Sequence, residues 1–381
     1  MKLAILHLSD FHFKKENSDW IIDRAHQVAN AVKLSFADCK KIYIVVSGDI
    51  ANTGQPSEYE AAKTFFTRLR SGLANNYNAE IPIDKRIFCV PGNHDVFLKE
   101  DNKVRIVLLK SVLDSFPNID RSIFDNIVQT QNAYTEFVRG INDEPTYKPS
   151  LLHVLNDKVE GFKIRFNLYN TAWMFSLDDP QGSIYMPMAG MKNEIERSCQ
   201  NEVDLVVSVM HHYYNWFAVA KQNKTDFMRR IAGSSNILIY GHEHEFVSTG
   251  KFDNFGDGLI SEYEGAAFYS KDDNGKEQSR FEVLVIDTEQ STCHQTIFRY
   301  DPNDVIYRSL SSKSHNISTE HKTGIFRSNG EYLQSLDEMP TPIYNHENEK
   351  LKLSGIYIYP DLESLNDSSF ASDLGRRPGE V

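Results

Sequence analysis

Five short apolar runs, each stopped by a cluster of Gly, Asp, Asn or His, constrain this chain more than any other feature. Residues 3–8 run into Asp10-Phe11-His12, residues 42–46 into Gly48-Asp49, and residues 86–90 into Gly92-Asn93-His94-Asp95. Residues 205–210 run into His211-His212, and residues 237–240 into Gly241-His242-Glu243-His244. Runs this short, rich in Ile, Val and Leu and bounded by turn formers, read as buried strands. Residues 19–37, 57–73 and 191–199 between them carry helical spacing, with Ser57 and Glu60 placed as a capping box. Residues 103–139 also read as helical, broken near Pro117. The chain therefore alternates strand and helix as an α/β domain does, and strand C-termini in such a sheet converge on one edge.

That convergence gives the clusters their meaning. Six of the 13 histidines fall in these few positions, so one edge would concentrate imidazole and carboxylate donors. Taken singly, each cluster is compatible with a capped turn or a solvated loop. Five in succession, each following a strand and each carrying Asp, Asn or His, point to a metal site.

Composition narrows the rest. The net charge is −12, from 41 Lys+Arg against 53 Asp+Glu, which argues against a broad nonspecific nucleic-acid surface. Cys39, Cys89, Cys199 and Cys293 are scattered without a CxxC pair, as expected of reduced core thiols. Residues 3–8 are interrupted by His7 and followed at once by Asp10, which is too short and too polar for a signal peptide. No apolar run approaches the ~18 residues of a membrane span. A cytoplasmic protein without a membrane partner is expected.

Beyond His244 the pattern changes. Residues 246–251, 265–269, 281–287 and 294–300 read as strands of an antiparallel meander. From 301 to about 350 the chain reads as polar and irregular, and residues 353–362 form a short apolar island. The expected organisation is a catalytic domain over residues 1–300 and a polar extension over 301–381, with 353–362 as a docking segment.

The order D-x-H, G-D, G-N-H-D, H, G-H-x-H resembles the signature of the calcineurin-like metallophosphoesterases, and the likeness covers about the first 300 residues. The resemblance implies a four-layer αββα sandwich, two mixed β-sheets flanked by helices. It also implies two divalent ions, Mn²⁺ first, with Fe or Zn²⁺ as alternatives for such N and O donors. Asp10, His12 and His244 would hold one ion and Asn93, His211 and His242 the other, with Asp49 bridging. The implied reaction is phosphoester hydrolysis by in-line attack of a hydroxide bridging the ions. His94 would stand near the leaving group as proton donor or charge stabiliser, and Asp95 would accept from the His94 ring. Where the family often has His-His-Pro, this chain has His211-His212-Tyr213, and His211 matches the ligand position.

The substrate is less constrained. None of the five clusters contains Lys or Arg, which favours a singly charged phosphodiester, such as a cyclic nucleotide or a nucleic acid, over a monoester. A nuclease effector controlled by a partner NTPase or signalling domain through the C-terminal segment is an alternative, as is a phosphomonoesterase. The aromatic run Tyr213, Tyr214, Trp216 and Phe217 reads either as a stacking platform for a base or as a loop packed under the site. Trp173, Tyr185 and Met186 are further candidates to line the substrate cleft. Asn170 and Thr171 follow another strand, residues 163–169, without assigned chemistry.

Overall fold

The computed structural model of the protein describes residues 1–16, 18–77, 82–98, 103–116, 119–176, 179–191, 203–243, 260–272 and 274–317. The chain divides into two compact units, Met1–Ile325 and Phe326–Val381. All described residues belong to the first, so the apolar island at 353–362 lies outside them. So do His244, the expected strand at 246–251 and most of the expected helix at 191–199.

Two mixed sheets build the first unit. Its strands, in chain order, are β1 (Lys2–Leu8), β2 (Cys39–Val46), β3 (Ile83–Cys89), β4 (Leu152–Val159), β5 (Phe162–Tyr169), β6 (Leu205–Val209), β7 (Ile237–Tyr240), β8 (Ser261–Glu264), β9 (Ser270–Lys271), β10 (Glu277–Gln278), β11 (Arg280–Asp287), β12 (Thr292–Asp301) and β13 (Ile306–Asn316). One sheet has the order β13-β12-β11-β1-β2-β3, the other β4-β5-β6-β7-β8, and β9 and β10 pair as a small antiparallel ladder. β1, β2 and β3 are mutually parallel, as are β5 to β8, and β4 and β11 to β13 join antiparallel.

Strand alternation produces the layers. Along β1, Leu3 and Ile5 point into the space between the sheets, against Phe166, Val207 and Ile239 of the second sheet. Ala4, Leu6 and Leu8 point the other way, onto α1 (Asp19–Ile22), α2 (Arg24–Ala31) and α3 (Pro56–Tyr77). Phe88 and Phe166, one from each sheet, meet with ring centroids 4.2 Å apart. After α4 (Lys103–Ser115) come α5 (Arg121–Ile127), α6 (Asn132–Asn142) and α7 (Asn223–Ser234). Of these, α5 and α7 cover the outer face of the second sheet through Phe124, Ile127, Phe227 and Ile231, packed with Tyr169, Leu238 and Tyr240. Helix, sheet, sheet, helix is the four-layer αββα sandwich. Burying each such side chain contributes about 1.5–3 kcal/mol, so this core holds the strand ends in place.

Three local expectations change. The capping box at Ser57 does not form; α3 starts at Pro56, and the Glu58 carboxylate accepts from the Thr53 and Gln55 amides at 2.9 and 3.0 Å. Residues 265–269 do not form a ladder strand; Ala267 makes a single bridge to Ser9. The polar stretch after Tyr300 is not irregular at its start, because β13 pairs with β12 along its whole length. As an edge strand with mostly exposed residues it needs no apolar alternation, which is why its sequence resembles a loop. Among the described residues, no helix is long and apolar enough to cross a membrane.

Candidate metal centre

The clusters stand on the loops that leave β1, β2, β3, β6 and β7. The first two interlock: the amides of Phe11 and His12 donate to the Asp49 carbonyl at 2.9 and 3.1 Å, and that of Asp10 to the Gly48 carbonyl at 3.1 Å. This ladder carries the β1–β2 pairing past the strand ends while reversing backbone handedness. Asp10, His12, Asp49 and His242 all have positive φ, between 50° and 80°. For a non-glycine residue that conformation costs roughly 1–2 kcal/mol each. Four strained donors around one point are the local cost of aiming their side chains together.

Two glycines make room for them. A β-carbon on Gly48, whose φ is +108°, would sit 2.4 Å from His211 Nδ1. One on Gly92 would sit 2.1 Å from Asp49 Oδ1.

The donors converge. His211, fully buried, donates from Nδ1 to the Ser47 carbonyl at 2.7 Å. Its Nε2 is thereby directed at Asn93 Oδ1 (3.1 Å), Asp49 Oδ2 (3.3 Å) and His242 Nδ1 (3.1 Å). Asp49 Oδ1 accepts the His94 amide at 2.8 Å, whereas the buried Oδ2 has no hydrogen bond. The Ser9 hydroxyl donates to Asp10 Oδ2. Ligand atoms of Asp10, Asp49 and His211 lie within 4.8 Å of one another; so do those of His12, Asp49 and His94, and those of His211, His212 and His242. Asp49 is common to two of these groups.

Such a set of lone pairs suits a cation at its centre. Without a metal, a proton takes that place. Burial opposes charge on His211, but the Asp49 and Asp10 carboxylates outweigh it and raise its pKa to about 9. Burial would likewise raise Asp49, but the positive charge of a protonated His211 facing Oδ2 at 3.3 Å, with His12 and His94 behind it, holds its carboxyl well below the ordinary range. The orphaned Asp49 Oδ2 and the Nε2 of His211, fixed by its Nδ1–H bond, fit divalent ions.

His94 and Asp95 part company. In the tight turn Asn93–Asp95, successive side chains diverge. The His94 ring Nδ1 meets the Asn52 carbonyl at 2.7 Å, so Asn52, not Asp95, orients it. Asp95 is buried and gathers the amides of Ile50, Ala51 and Gly92 and the Tyr59 hydroxyl at 2.9–3.1 Å. It ties the β2 and β3 loops together and does not touch the His94 ring by any hydrogen bond.

Several residues that the sequence left without a role stand at the site. His212 is buried, takes Thr171 Oγ1 at 3.0 Å on Nδ1, and has no hydrogen bond at Nε2. Burial, then the neighbouring His211 and His242, holds it well below the usual histidine range. Thr171 follows β5 as the clusters follow their strands, the position at which the sequence placed it without chemistry. Behind the site, buried His7 pairs through Nδ1 with Glu282 and meets the Ser47 hydroxyl at 2.8 Å with Nε2. Gln295 donates to the same carboxylate at 2.6 Å.

The aromatic run divides. Tyr214 and Phe217 are core residues, and Trp216 stands edge-on to His242 at 4.5 Å between centroids. Its indole N–H and the Asn215 amide both donate to Glu243, at 3.1 and 2.9 Å. Trp173 and Met186 do not line a cleft; they are fully buried in the core under the second sheet, with Tyr185 packed against them.

A family model described as calcineurin-like phosphoesterase matches residues 3–246, which contain all five clusters. The chain belongs to that family. A calcineurin-like phosphoesterase is a metal-dependent phosphoester hydrolase, and the family implies a dinuclear divalent centre of the kind these donors suit. The chain is 25% identical over 145 residues to an uncharacterized metallophosphoesterase-like protein, YydB, of Bacillus subtilis, a match covering 36% of this chain and 27% of that protein. Among solved structures it is similar to the calcineurin-like phosphoesterase YfkN of B. subtilis, at 14% identity and a TM-score of 0.38, over 88% of this chain and 95% of that one. It is also similar to the NAD nucleotidase NadN of Haemophilus influenzae, at 12% identity and a TM-score of 0.34, over 93% of this chain and 54% of that one. The chain thus spans about half of the Haemophilus protein and matches about a quarter of YydB.

Proposed function

We propose that the protein hydrolyses a phosphodiester at a two-cation centre, Asp10, His12 and His244 holding one ion, Asn93, His211 and His242 the other, with Asp49 shared. The observation that carries this reading is the approach of His211 Nε2 and Asp49 Oδ2 at 3.3 Å. With Nδ1–H committed to Ser47, a neutral His211 ring has no hydrogen atom to place between them. His244, which lies outside the described residues, enters through the family resemblance alone. The donors are nitrogen and oxygen without thiolate, which suits Mn²⁺ first, then Fe or Zn²⁺.

When bound, such ions supply Lewis acidity and an activated water near neutral pH. The side chains do the rest. Asp49 neutralises charge between the two donor groups. His94 donates Nδ1–H to the Asn52 carbonyl, so the proton it would give a departing alkoxide is a second one, carried on Nε2 by the imidazolium form of the ring. Asp95 fixes the turn that carries Asn93 and His94.

The five clusters contain no Lys or Arg; among them, no side chain offsets the second charge of a monoester. The test is parallel assay of Mn²⁺-loaded protein on bis-p-nitrophenyl phosphate, p-nitrophenyl phosphate, cyclic nucleotides and single-stranded and duplex DNA. Faster diester cleavage is expected, and faster monoester cleavage would overturn the preference. Turnover of DNA alone would make the protein a nuclease.

A further inference from the structure

His212 stands beside the candidate metal centre, outside the donor set proposed above. One ring nitrogen each of His211, His212 and His242 lies within 4.8 Å of the other two. The His212 ring centroid is 4.8 Å from that of His211 and 4.7 Å from that of His242. His211 Nε2 and His242 Nδ1, both assigned to one ion, are 3.1 Å apart. A third imidazole thus adjoins that pair of nitrogens.

The ring is anchored from one side. Thr171 Oγ1 accepts the His212 amide at 3.2 Å and meets the ring Nδ1 at 3.0 Å. A hydroxyl oxygen has two lone pairs, so this one atom can take both N–H groups and tie the ring to its own backbone. Ser47 holds His211 in a comparable way, its carbonyl on Nδ1 at 2.7 Å. Thr171 follows β5 and His212 follows β6, which are parallel neighbours, so the sheet itself brings anchor and ring together. The other flanks are aromatic: Phe175 is stacked on the ring at 6.1 Å between centroids, and Trp216 stands at 5.6 Å.

That leaves Nε2. His212 is fully buried, and among the described residues its Nε2 has no hydrogen-bond partner. Taking a polar nitrogen out of water without a partner is costly, and an apolar side chain would fill the space between Phe175 and Trp216 without that cost. Asp49, the shared donor, has the same pattern: Oδ1 is bonded to an amide, and the buried Oδ2 is bare. With Nδ1–H given to Thr171, the His212 Nε2 carries a lone pair. In the opposite tautomer it would carry a hydrogen, for which no acceptor stands within reach among the described residues. A divalent ion beside His211 and His242 satisfies the lone pair and could not satisfy the hydrogen.

We propose that His212 is a further metal-binding residue, its Nε2 a third imidazole donor to the divalent ion held by Asn93, His211 and His242. Thr171 is then a positioning residue that sets the tautomer of the ring. This rests on the two-cation centre proposed above and is independent of the preference for a diester.

Full-length protein, isotope-labelled in its histidine rings and freed of metal, should be titrated with Zn²⁺ and followed by nitrogen NMR, the His212 ring being assigned through its own backbone. Nε2 is expected to carry no hydrogen before Zn²⁺ is added and to shift as Zn²⁺ binds. In competition with a chromophoric chelator, His212→Gln is expected to weaken one bound Zn²⁺ at least about tenfold, or about 1.4 kcal/mol. Thr171→Val should weaken the same ion by less, and Thr171→Ser should restore wild-type affinity. A His212 Nε2 that carries a hydrogen, or that keeps its resonance as Zn²⁺ binds, overturns the proposal even if the Gln variant fails to fold. Wild-type Zn²⁺ affinity in a folded His212→Gln overturns it too. A wild type that binds no Zn²⁺ overturns the metal centre with it, whereas bound metal without turnover of bis-p-nitrophenyl phosphate faults the diesterase reading alone.

Discussion

Gly92 lies against Asp49 so closely that a β-carbon on the glycine would stand 2.1 Å from the carboxylate Oδ1 and 2.5 Å from the Asp49 amide nitrogen. The β3 loop and the β2 loop therefore meet without space for even one methyl group. Gly92→Ala should displace Asp49 and cost both metals together, read by elemental analysis, along with several degrees of thermal stability. Gly233 is the control: it lies within α7, and a β-carbon there would have nothing within 4 Å. Gly233→Ala should leave metal content intact and stabilise by up to about 1 kcal/mol. Equal effects of the two substitutions would show that Gly92 matters only through helix or loop propensity.

The bond from His94 Nδ1 to the Asn52 carbonyl at 2.7 Å gives the proposed division between a proton donor and metal donors a direct test. His94→Ala should retain both metals and lose roughly 10²–10⁴-fold in turnover, the usual range for a general acid. Asp49→Ala should instead deplete both sites. Loss of metal in His94→Ala would make His94 a ligand, a role its place in the His12–Asp49–His94 group makes worth testing. Asp95→Asn should lower thermal stability, because that carboxylate ties four donors.

The five strands and their clusters, the last as far as Glu243, were legible because both of their signals are local: an apolar run and the polar residues that stop it. The same holds for β11 and β12, whose expected ranges of 281–287 and 294–300 fall inside Arg280–Asp287 and Thr292–Asp301. What was not legible depends on register or on three-dimensional packing. His7 and Glu282 are cross-strand neighbours 275 residues apart, so nothing near His7 announces its partner. Trp173 and Met186 carry no sign distinguishing a cleft wall from a core. The expected Asp95–His94 contact failed for a stereochemical reason, the divergence of adjacent side chains in a tight turn.

Away from the metal centre, Asp84 binds Arg86 and Lys41, at 2.9 Å to each. Burial would raise its pKa, but the Arg86 side chain and amide, with Lys41, lower it to about 2. A carboxyl whose folded pKa is depressed contributes stability fully present above its unfolded value near 4. That stability is lost as pH falls through about 2, at a magnitude of about 2 kcal/mol. Urea denaturation from pH 7 to pH 2 should show the gap between wild type and Asp84→Asn hold down to about pH 4 and then narrow. A gap that stays constant to pH 2 would contradict the assignment.

His211 titrates in the opposite sense, and its linkage to metal makes the sign diagnostic. In the metal-free protein its pKa is raised to about 9, because Asp49 and Asp10 outweigh the burial that opposes its charge. A histidine raised in the folded state contributes stability that is complete below its unfolded value, about 6.5, and is lost as pH climbs through 9. Metal binding needs the neutral ring, so the stabilisation that metal adds must grow over the same interval, as protons are released. Thermal scans between pH 6 and pH 9 should therefore show the metal-dependent increment in Tm rising with pH. Calorimetric titration with Mn²⁺ in two buffers of different ionisation enthalpy should show proton release near pH 7. His211→Ala should abolish both effects, while His212→Ala, which removes a ring already neutral at that pH, should keep the proton release. A metal increment independent of pH in the wild type would place the titrating proton elsewhere and remove His211 from the ligand set.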